Sequence, residues 1–373
     1  MSLPFDLVED EEIKIYPNIK VIGIGGAGGN AIANMIKREL KGVEFIVANT
    51  DYRVLELNPA PHKIHLGRKL TKGWGAGGNP EIGKLAAEES EKEIRDYLKD
   101  ADMVFIAAGM GGGTGTGASP IIANICKELE ILTIAVVTKP FSFEGKKRME
   151  IAEAGIEELK KYVDTLITIP NDKLFSVSSP QDQVLNMFKK GDDVLYYAVK
   201  GISDLILSPG YKNLDFADIK AAMKEKGGVA LIGVGEASGE NRAEEATQMA
   251  VSFPLLEDIP IEKAKAGLIN VSGNPDNFTV QEFQIVTKYI SDLYSNIEIH
   301  WGMVFDKALG DTLRVTIIAT GLENIEEKEE KEEKKERILS IKDMLKDEGT
   351  EIKSIKEIID DIEIPTFLRK KAD

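Results

Sequence analysis

The sequence contains little cysteine and little histidine. Among its 373 residues there is one cysteine, Cys126, and there are three histidines, His62, His65 and His300. A single cysteine excludes an internal disulfide and a cysteine-built metal site, and it favours a cytosolic protein. Cys126 lies in the apolar pattern IIANICKEL, which favours a core thiol. Three histidines are too few to indicate a zinc site, so no metal site built from protein side chains is predicted.

Basic residues and long apolar runs are also scarce. Lys and Arg number 47 against 63 Asp and Glu, a formal net charge of −16, which argues against a broad basic surface for nucleic acid. No apolar run approaches the ~20 residues of a membrane span. The first residues, MSLPFDLVEDEEIK, are acidic and lack an apolar core, so we expect no signal peptide. The chain is predicted to be a cytoplasmic protein with no direct membrane span.

Strand and helix patterns alternate through the first half of the chain. Buried strands are predicted at IKVIGI (19–24), VEFIVA (43–48), MVFIAA (103–108), LTIAVV (132–137) and TLITI (165–169), with helical patterns such as AIANMIKREL, PEIGKLAAEESEKEIRDYLK and SPIIANICKELE between them. This alternation predicts a parallel sheet covered by helices on both faces. In such sheets ligands bind outside the carboxyl ends of the strands.

The second half begins with one long helical pattern at about 181–207. Strands are then predicted at 229–234, 267–271, 297–305 and 312–319, with helices at 241–252 and 279–294. These elements indicate a smaller mixed α/β domain. The segment EEKEEKEEKKER (326–337) is charged throughout and predicts a solvated linker, although its Glu/Lys pairs also suit an isolated helix. Apolar residues return in the ending EIPTFLRKKAD, which we interpret as a docking peptide.

Two glycine-rich segments each follow a predicted strand and precede a helix. They are GIGGAGGN (23–30) and GMGGGTGTGASP (109–120), and the second helix is predicted to start near Ser119. Free backbone N–H groups at two helix N-termini would suit an extended anion such as a di- or triphosphate. Thr114 and Thr116 add hydroxyls that could contact a phosphate oxygen.

The glycines are also compatible with two roles that need no such anion. They could serve only to allow tight turns between strand and helix. The spacing Gly23-x-Gly25-x-x-Gly28, with Asp51 downstream, also fits a dinucleotide-dependent oxidoreductase. A third cluster, KGWGAGGNPEIGK (72–84), is not a P-loop, because Leu85 stands where Ser or Thr must hold magnesium and no apolar strand precedes it.

The string GGGTGTGASP resembles the glycine signature of the tubulin and FtsZ superfamily. GIGGAGGN, NTD (49–51), TKPFSFEGKKR (138–148), PNDKL (170–174) and NLDFADIK (213–220) follow in that family's order, and the ending resembles the tail of its bacterial members. The resemblance covers roughly residues 15–320 plus that tail, with Trp74 standing where the family usually has a smaller residue. It implies a Rossmann-like α/β GTP-binding domain with a parallel sheet, joined by a long central helix to a smaller mixed α/β domain.

The resemblance also implies domain boundaries and ligands. The domains would be 1–176 for GTP binding, 177–209 for the central helix, 210–322 for GTPase activation and polymerisation, 323–362 for the charged linker and 363–373 for an adaptor-binding tail. The ligands would be GTP and GDP, with Mg²⁺ bound through the phosphates.

The resemblance assigns site residues by their position in the matching motifs. The phosphates would contact Gly26, Ala27, Gly28, Gly29 and Asn30 in the first glycine segment and Gly113, Thr114 and Gly115 in the second. Glu144 and Arg148 match ribose contacts, Asn171 a position near sugar and base, Phe188 the aromatic that stacks on the base, and Asp193 the carboxylate that accepts from guanine. For Glu144 and Arg148 a surface ion pair at i, i+4 is the alternative, and for Phe188 a core aromatic.

Asp215 and Asp218 lie three residues apart at the start of a predicted helix. A purely structural role is that Asp215 caps this helix and Asp218 lies near its positive end. The resemblance instead implies a catalytic acidic pair, with Asn213 beside it, that one subunit inserts against the nucleotide of the next. The implied protein is a GTPase that forms head-to-tail filaments and a cytokinetic ring at the bacterial division site. A scaffold that binds GTP without hydrolysing it is the alternative.

The resemblance implies partners as well. Besides the chain itself, these are membrane-tethering and regulatory division proteins bound through the tail. The tail residues implied as contacts are Ile364, Pro365, Phe367, Leu368 and Arg369.

Overall fold

In the computed structural model the described residues are 16–175, 184–207, 215–224, 228–256, 264–294 and 297–322. The chain separates into two units, Met1–Leu322 and Glu323–Asp373. All the described residues belong to the first unit. The predicted charged linker and terminal peptide belong to the second unit and lie outside the described residues.

One ten-stranded sheet forms the centre of the first unit. Its strands are β1 (Ile19–Ile24), β2 (Val43–Asn49), β3 (His62–His65), β4 (Met103–Gly109), β5 (Leu132–Lys139), β6 (Thr165–Pro170), β7 (Gly228–Ser238), β8 (Ala266–Gly273), β9 (Glu298–Phe305) and β10 (Thr312–Leu322). The spatial order is β3-β2-β1-β4-β5-β6-β7-β10-β8-β9. Strands β1 to β7 pair in parallel, whereas β10 pairs antiparallel with both β7 and β8. The mostly parallel sheet that the sequence predicts is confirmed.

The described helices connect and cover these strands. They are α1 (Gly25–Lys37), α2 (Tyr52–Leu57), α3 (Arg68–Thr71), α4 (Pro80–Glu89), α5 (Glu91–Leu98), α6 (Thr114–Glu128), α7 (Lys146–Lys160), α8 (Val184–Leu207), α9 (Phe216–Met223), α10 (Arg242–Val251) and α11 (Val280–Leu293). Short 3-10 turns lie at Ser142–Glu144, Asn171–Phe175 and Lys307–Leu309.

Side chains of β1 alternate between two apolar layers, as expected for a strand buried on both faces. Ile19 and Val21 pack in the layer that contains the apolar side of α8, from Val194 to Ile206. Ile22 and Ile24 pack in the opposite layer. Cys126 is fully buried in that second layer, and burial raises the pKa of its thiol to about 12, which confirms the expected core thiol.

Two helix boundaries differ from the sequence prediction. Helix α6 begins at Thr114, five residues before Ser119, so the second half of the glycine run is helical. Gly117 allows this because a Cβ there would collide with the carbonyl oxygen of Pro80 in α4. The single helix predicted over 80–99 is divided at Ser90, whose buried hydroxyl accepts a hydrogen bond from the Gly67 amide at 3.0 Å. Packing between elements decides both boundaries.

The parallel strands give the sheet two chemically different edges. Strands β1, β4, β5 and β6 are neighbours, so their carboxyl ends share one edge. Helix α9 is tied to the opposite, amino edge. The hydroxyl of Thr165, the first residue of β6, donates to the carbonyl of Met223 at 2.5 Å. The Thr320 hydroxyl donates to the Ala222 carbonyl at 3.0 Å, and Thr320 pairs with Ala266 at the start of β8.

Candidate nucleotide-binding site

The N-terminus of α1 begins directly after β1 and has no side-chain cap. Its N-cap residue is Ile24, no side chain accepts from the first amides, and the first turn contains no acidic residue. Gly26, Ala27 and Asn30 are exposed in this turn, whereas Gly28 and Gly29 are buried. Uncapped amides and the positive end of the helix dipole are the features that attract an anion.

The N-terminus of α6 has the same features and lies beside the first. Its N-cap is Gly113, with no side-chain cap and no acidic residue in the first turn. A Cβ at Gly25 would lie 3.0 Å from the amide nitrogen of Gly115 and 3.4 Å from the Cβ of Thr114. Two uncapped helix ends therefore meet at the carboxyl edge of β1 and β4.

Packing accounts for most of the glycines at this edge but not for all. Gly25 and Gly111 have φ of +72° and +92°, and a Cβ at Gly109 would lie 2.6 Å from that of Ala27. Gly26 and Gly112 have neither a positive φ nor any atom within 4 Å of an added Cβ. Tight turns alone do not explain these two positions. Both leave the main chain open to a ligand.

The third glycine segment lies against the start of α6. A Cβ at Gly113 would lie 2.8 Å from that of Ala76 and 2.9 Å from the amide nitrogen of Asn79. Helix α3, and not a strand, precedes this segment, in agreement with the exclusion of a P-loop. Trp74 is 87% exposed on it.

The hydroxyls of the second glycine segment have partners within the chain. Thr114 shares a 2.6 Å hydrogen bond with the hydroxyl of Thr50, which follows β2. The hydroxyl of Thr116 accepts from the Gly111 amide at 2.9 Å. These contacts stabilise the loop from within the chain.

Glu144 and Arg148 lie after β5, at the 3-10 turn and the start of α7. Their side chains form an ion pair of 2.7 Å, the i, i+4 alternative named above, and Glu144 also accepts from the Phe141 amide at 2.9 Å. The Arg148 carbonyl oxygen would lie 2.7 Å from a Cβ at Gly111. This pair is thus beside the second glycine loop, with the Arg148 side chain 51% exposed.

Asn171 follows β6 and has an unusual side chain. Its Oδ1 is buried and has no hydrogen-bond partner. A buried unpaired acceptor is rare and favours a missing donor, such as an N–H or O–H of a ligand. A Cβ at Gly191 of α8 would lie 3.6 Å from this oxygen, so Asn171 is next to the turn of α8 that carries Asp193.

Asp193 is held by helix α1. Its Oδ1 accepts from the Arg38 guanidinium at 2.6 Å and from the Asn34 side-chain amide at 3.0 Å. The neighbouring Asp192 differs, because burial, together with the negative charge of Asp193, raises the pKa of Asp192 to about 7. The Phe188 side chain lies outside the described residues, although its backbone belongs to α8.

Asp215 and Asp218 do not join these groups. Both are exposed on α9, which is tied to the amino edge of the sheet. Asp215 occupies the N-cap position, but its side chain makes no capping hydrogen bond. Asp215 therefore has the position of a capping residue, but its carboxylate does not cap the helix. Asn213 and the tail residues 364–369 lie outside the described residues.

Within the described residues there is neither a protein metal site nor a membrane-spanning helix. No group of three or more His, Cys, Asp or Glu side chains could hold a metal ion there. His62 pairs with Glu44 at 3.0 Å, and the Nε2 of His65 is buried without a partner. None of the described helices is long and apolar enough to cross a membrane.

Both the sequence and the fold match known proteins. The model of the tubulin/FtsZ family GTPase domain matches residues 18–179, and that of the FtsZ family C-terminal domain matches residues 228–323. A cell division protein FtsZ from Buchnera aphidicola of Acyrthosiphon pisum is 46% identical across 98% of this chain and 100% of its own length. A Rickettsia conorii protein of that name is 50% identical over 84% of this chain and 69% of its own.

The chain belongs to the tubulin/FtsZ family. Its first half carries the family's GTPase domain, which implies binding of GTP and GDP. A solved FtsZ dimer from M. jannaschii matches with a TM-score of 0.77 and 46% identity, covering 82% of this chain and 88% of the other. CetZ2 from Haloferax volcanii, 19% identical with a TM-score of 0.70, shares the fold. Membership of this family decides against the dinucleotide-dependent oxidoreductase. Asp51, which that hypothesis required, instead caps α2 by accepting from the Val54 amide at 3.1 Å.

Sequence reasoning did not identify Arg38 and Asn34 as partners of Asp193, or Thr50 as a partner of Thr114. Arg38 and Asn34 lie within an ordinary amphipathic helix, and their contact with Asp193 spans more than 150 residues. A signal existed for Thr50, which stands inside the quoted NTD string directly after a strand.

The raised pKa of Asp192 predicts that the stability of the protein depends on pH. Its pKa is about 7 in the folded chain against about 4 when unfolded, so between these values the folded state retains a proton that the unfolded state has lost. The contribution of Asp192 to the free energy of unfolding is therefore most favourable below pH 4 and is lost as the pH rises to 7. Asp192→Asn should raise the free energy of unfolding at pH 8 by up to about 4 kcal/mol and change it little at pH 4.

Urea denaturation without nucleotide at the two pH values measures this difference. The control is Asp276→Asn, which removes the carboxylate of an exposed aspartate. Equal pH dependence in Asp192→Asn and the unchanged protein would contradict the assignment.

Proposed function

We propose that this chain is a GTPase that assembles head-to-tail into filaments and hydrolyses GTP at the junctions between subunits. One observation supports the proposal most directly. The groups suited to a nucleotide lie at the carboxyl edge of the sheet, whereas Asp215 and Asp218 lie on a helix tied to the amino edge. A second copy of the chain could bring an acidic pair to the nucleotide of the first.

The nucleotide would lie across the carboxyl ends of β1, β4, β5 and β6. Its phosphates would contact the backbone amides at 26–30 and 113–115, since both helix ends are uncapped. The ribose would lie beside Glu144 and Arg148, and the base beside Asn171, Phe188 and Asp193. A carboxylate at Asp193 favours guanine, which offers two adjacent donors at N1 and the exocyclic amine, over adenine, which presents an acceptor at N1.

Magnesium would be held by the phosphates. Since no cluster of carboxylates or histidines among the described residues could bind a metal, the oxygens of the nucleotide are the fitting ligands. The ion supplies neutralisation of phosphate charge when bound. The protein's contribution is the set of backbone amides around it.

At the junction, Asp215 and Asp218 would orient and polarise the attacking water, with Asn213 beside them. Supporting this role, both carboxylates are exposed and Asp215 is not used as a side-chain cap. A positioned carboxylate can accept a proton from water as it attacks the terminal phosphate. Such a contact is heterologous and does not close, so repetition gives a filament. The related M. jannaschii structure is described as an FtsZ dimer, which supports self-association.

The cellular role follows from the relatives, which carry the name cell division protein FtsZ. We extend this to the present chain as assembly of a ring at the division site, in the cytoplasm. Release of the γ-phosphate would weaken the junctions and allow disassembly.

The terminal peptide would connect filaments to membrane-tethering and regulatory proteins. Its contacts would be Ile364, Pro365, Phe367, Leu368 and Arg369, a short apolar group at the end of a charged linker. Deletion of residues 363–373 should leave GTP-dependent sedimentation unchanged. It should also abolish recruitment of filaments to vesicles that carry the membrane-tethering partner. Recruitment of the deleted chain at the full level would contradict this assignment.

Asp218→Ala tests the role in hydrolysis. We expect GTP turnover to fall by at least about 100-fold, the usual contribution of general base catalysis, while GTP affinity stays the same. The measurement is phosphate release per subunit over a series of protein concentrations, with sedimentation of the same samples. In the unchanged protein the rate per subunit should be near zero until polymer appears.

Glu244→Ala is a suitable control, because Glu244 is an exposed acid in the first turn of α10. It should alter neither rate nor affinity. Loss of GTP binding in Asp218→Ala would contradict the proposed action on a neighbour's nucleotide. Filaments of the unchanged protein that release no phosphate would favour a scaffold that binds GTP without hydrolysing it.

A further inference from the structure

Arg38 connects the end of α1 to the carboxylate proposed to contact guanine. It is the C-cap residue of α1, the helix whose N-terminus is the first glycine segment. Its guanidinium donates to Asp193 Oδ1 at 2.6 Å, and Asn34, one turn earlier, donates to the same oxygen at 3.0 Å. One helix thus offers amides at its start and holds Asp193 near its end.

Helix α8 provides the surface that this guanidinium contacts. Asp193, Tyr196 and Tyr197 stand at i, i+3 and i+4 and so share one face of the helix. The Arg38 guanidinium lies 4.8 Å from the ring centroid of Tyr196 and 5.6 Å from that of Tyr197, and it donates to the Tyr197 hydroxyl at 3.4 Å. Arginine suits such a surface because its planar guanidinium can stack on an aromatic ring and donate hydrogen bonds at the same time.

A residue of β10 also contacts Tyr197. The guanidinium of Arg314 in β10 lies 5.2 Å from the Tyr197 ring centroid, and Arg314 pairs with Glu236 of β7 at 2.5 Å. Tyr197 therefore contacts cations from α1 and from β10. This support restricts Arg38 more than an isolated surface ion pair would.

The geometry points to Arg38 as a positioning residue that orients the Asp193 carboxylate so that it can accept from both guanine donors. This inference rests on the proposed function, because it takes Asp193 as the group that contacts the base. Both donors from α1 bind Oδ1, which restricts the orientation of the carboxylate. Neither of them donates to Oδ2.

A simple surface ion pair is the competing interpretation, and such pairs contribute little to stability. Two features distinguish Arg38 from that case. Its side chain is 34% exposed, and it contacts two rings as well as a carboxylate. Burial acts to lower the pKa of Arg38, but the Tyr197 hydrogen bond and the Asp193 charge outweigh burial and raise it above its ordinary value. The cation is therefore firmly retained beside Asp193.

Discrimination between GTP and ITP tests the inference, because ITP lacks the exocyclic amine of guanine. The variant is Arg38→Met, which keeps an apolar stem against the tyrosine rings but removes the donors. Affinities are measured on the full chain by competition against a fluorescent GDP analogue, below the concentration at which polymer forms. We expect GTP affinity to fall about tenfold, comparable to the loss of one charge-assisted hydrogen bond, and ITP affinity to fall much less.

Four further variants make the result decisive. Arg95→Met is the matched control, since Arg95 is 33% exposed and pairs with Glu91 and Glu128 far from α8; it should change neither affinity. Arg38→Lys should restore part of the GTP preference. Asp193→Asn should lose the preference altogether, and adding Arg38→Met to it should cause no further loss.

The outcomes separate this inference from the function on which it rests. If Asp193→Asn retains full preference for GTP over ITP, the proposed contact between Asp193 and guanine is wrong. If Asp193→Asn loses the preference and Arg38→Met retains it, only the inference about Arg38 is wrong. Tighter GTP binding in Arg38→Met, or an equal loss for both nucleotides with a lower melting temperature, would also overturn it.

Discussion

The rest of the structure depends on two helix N-termini that meet without side-chain caps at one edge of a parallel sheet. Neither α1 nor α6 has an acidic residue in its first turn, although the chain carries 16 more acidic than basic residues. In the proposed site, backbone amides provide the positive charge for a polyanion in a strongly acidic protein. Glycine is needed here because the two helix starts approach within van der Waals contact and because Gly26 and Gly112 leave the main chain open.

The same constraint disfavours unpaired carboxylates at this edge, where Glu144 is paired with Arg148. A free acidic pair beside a triphosphate would repel it. In the proposed arrangement Asp215 and Asp218 stand at the other edge of the sheet and come near a nucleotide only when a second chain binds. Hydrolysis and assembly would then be linked by the topology of the sheet. Asp193, by contrast, is proposed to contact the base, and its charge is compensated by Arg38.

Much of the fold was predictable from the sequence because it depends on local patterns. Short apolar runs predicted β1, β4, β5 and β6 within one or two residues, and their order placed both glycine segments at the carboxyl edge. The start of α6 was not predictable, since Gly115 and Gly117 are poor helix formers that are helical here only because α4 and β4 pack on them.

The candidate site likewise contains features that the sequence predicts and features that it does not. Contacts made by backbone atoms within a strand–turn–helix unit follow from glycine spacing, and the family resemblance assigns the residues around the sugar and base. The contacts of Arg38 and Asn34 with Asp193 depend on α1 and α8 lying side by side. No local pattern in the sequence indicates that packing, because the two helices are separated by more than 140 residues.

In the proposed arrangement a complete catalytic site requires the carboxyl edge of one chain and the amino edge of another. A mixing experiment tests it most directly. Chains carrying Asp218→Ala, which retain the nucleotide edge, are combined with chains carrying Asp193→Ala, which retain the acidic pair, and GTP hydrolysis is followed. At a GTP concentration below the range that Asp193→Ala chains bind, each variant alone should be nearly inactive and the mixture should hydrolyse GTP. A mixture no more active than the sum of its separate components would contradict a site shared between two chains.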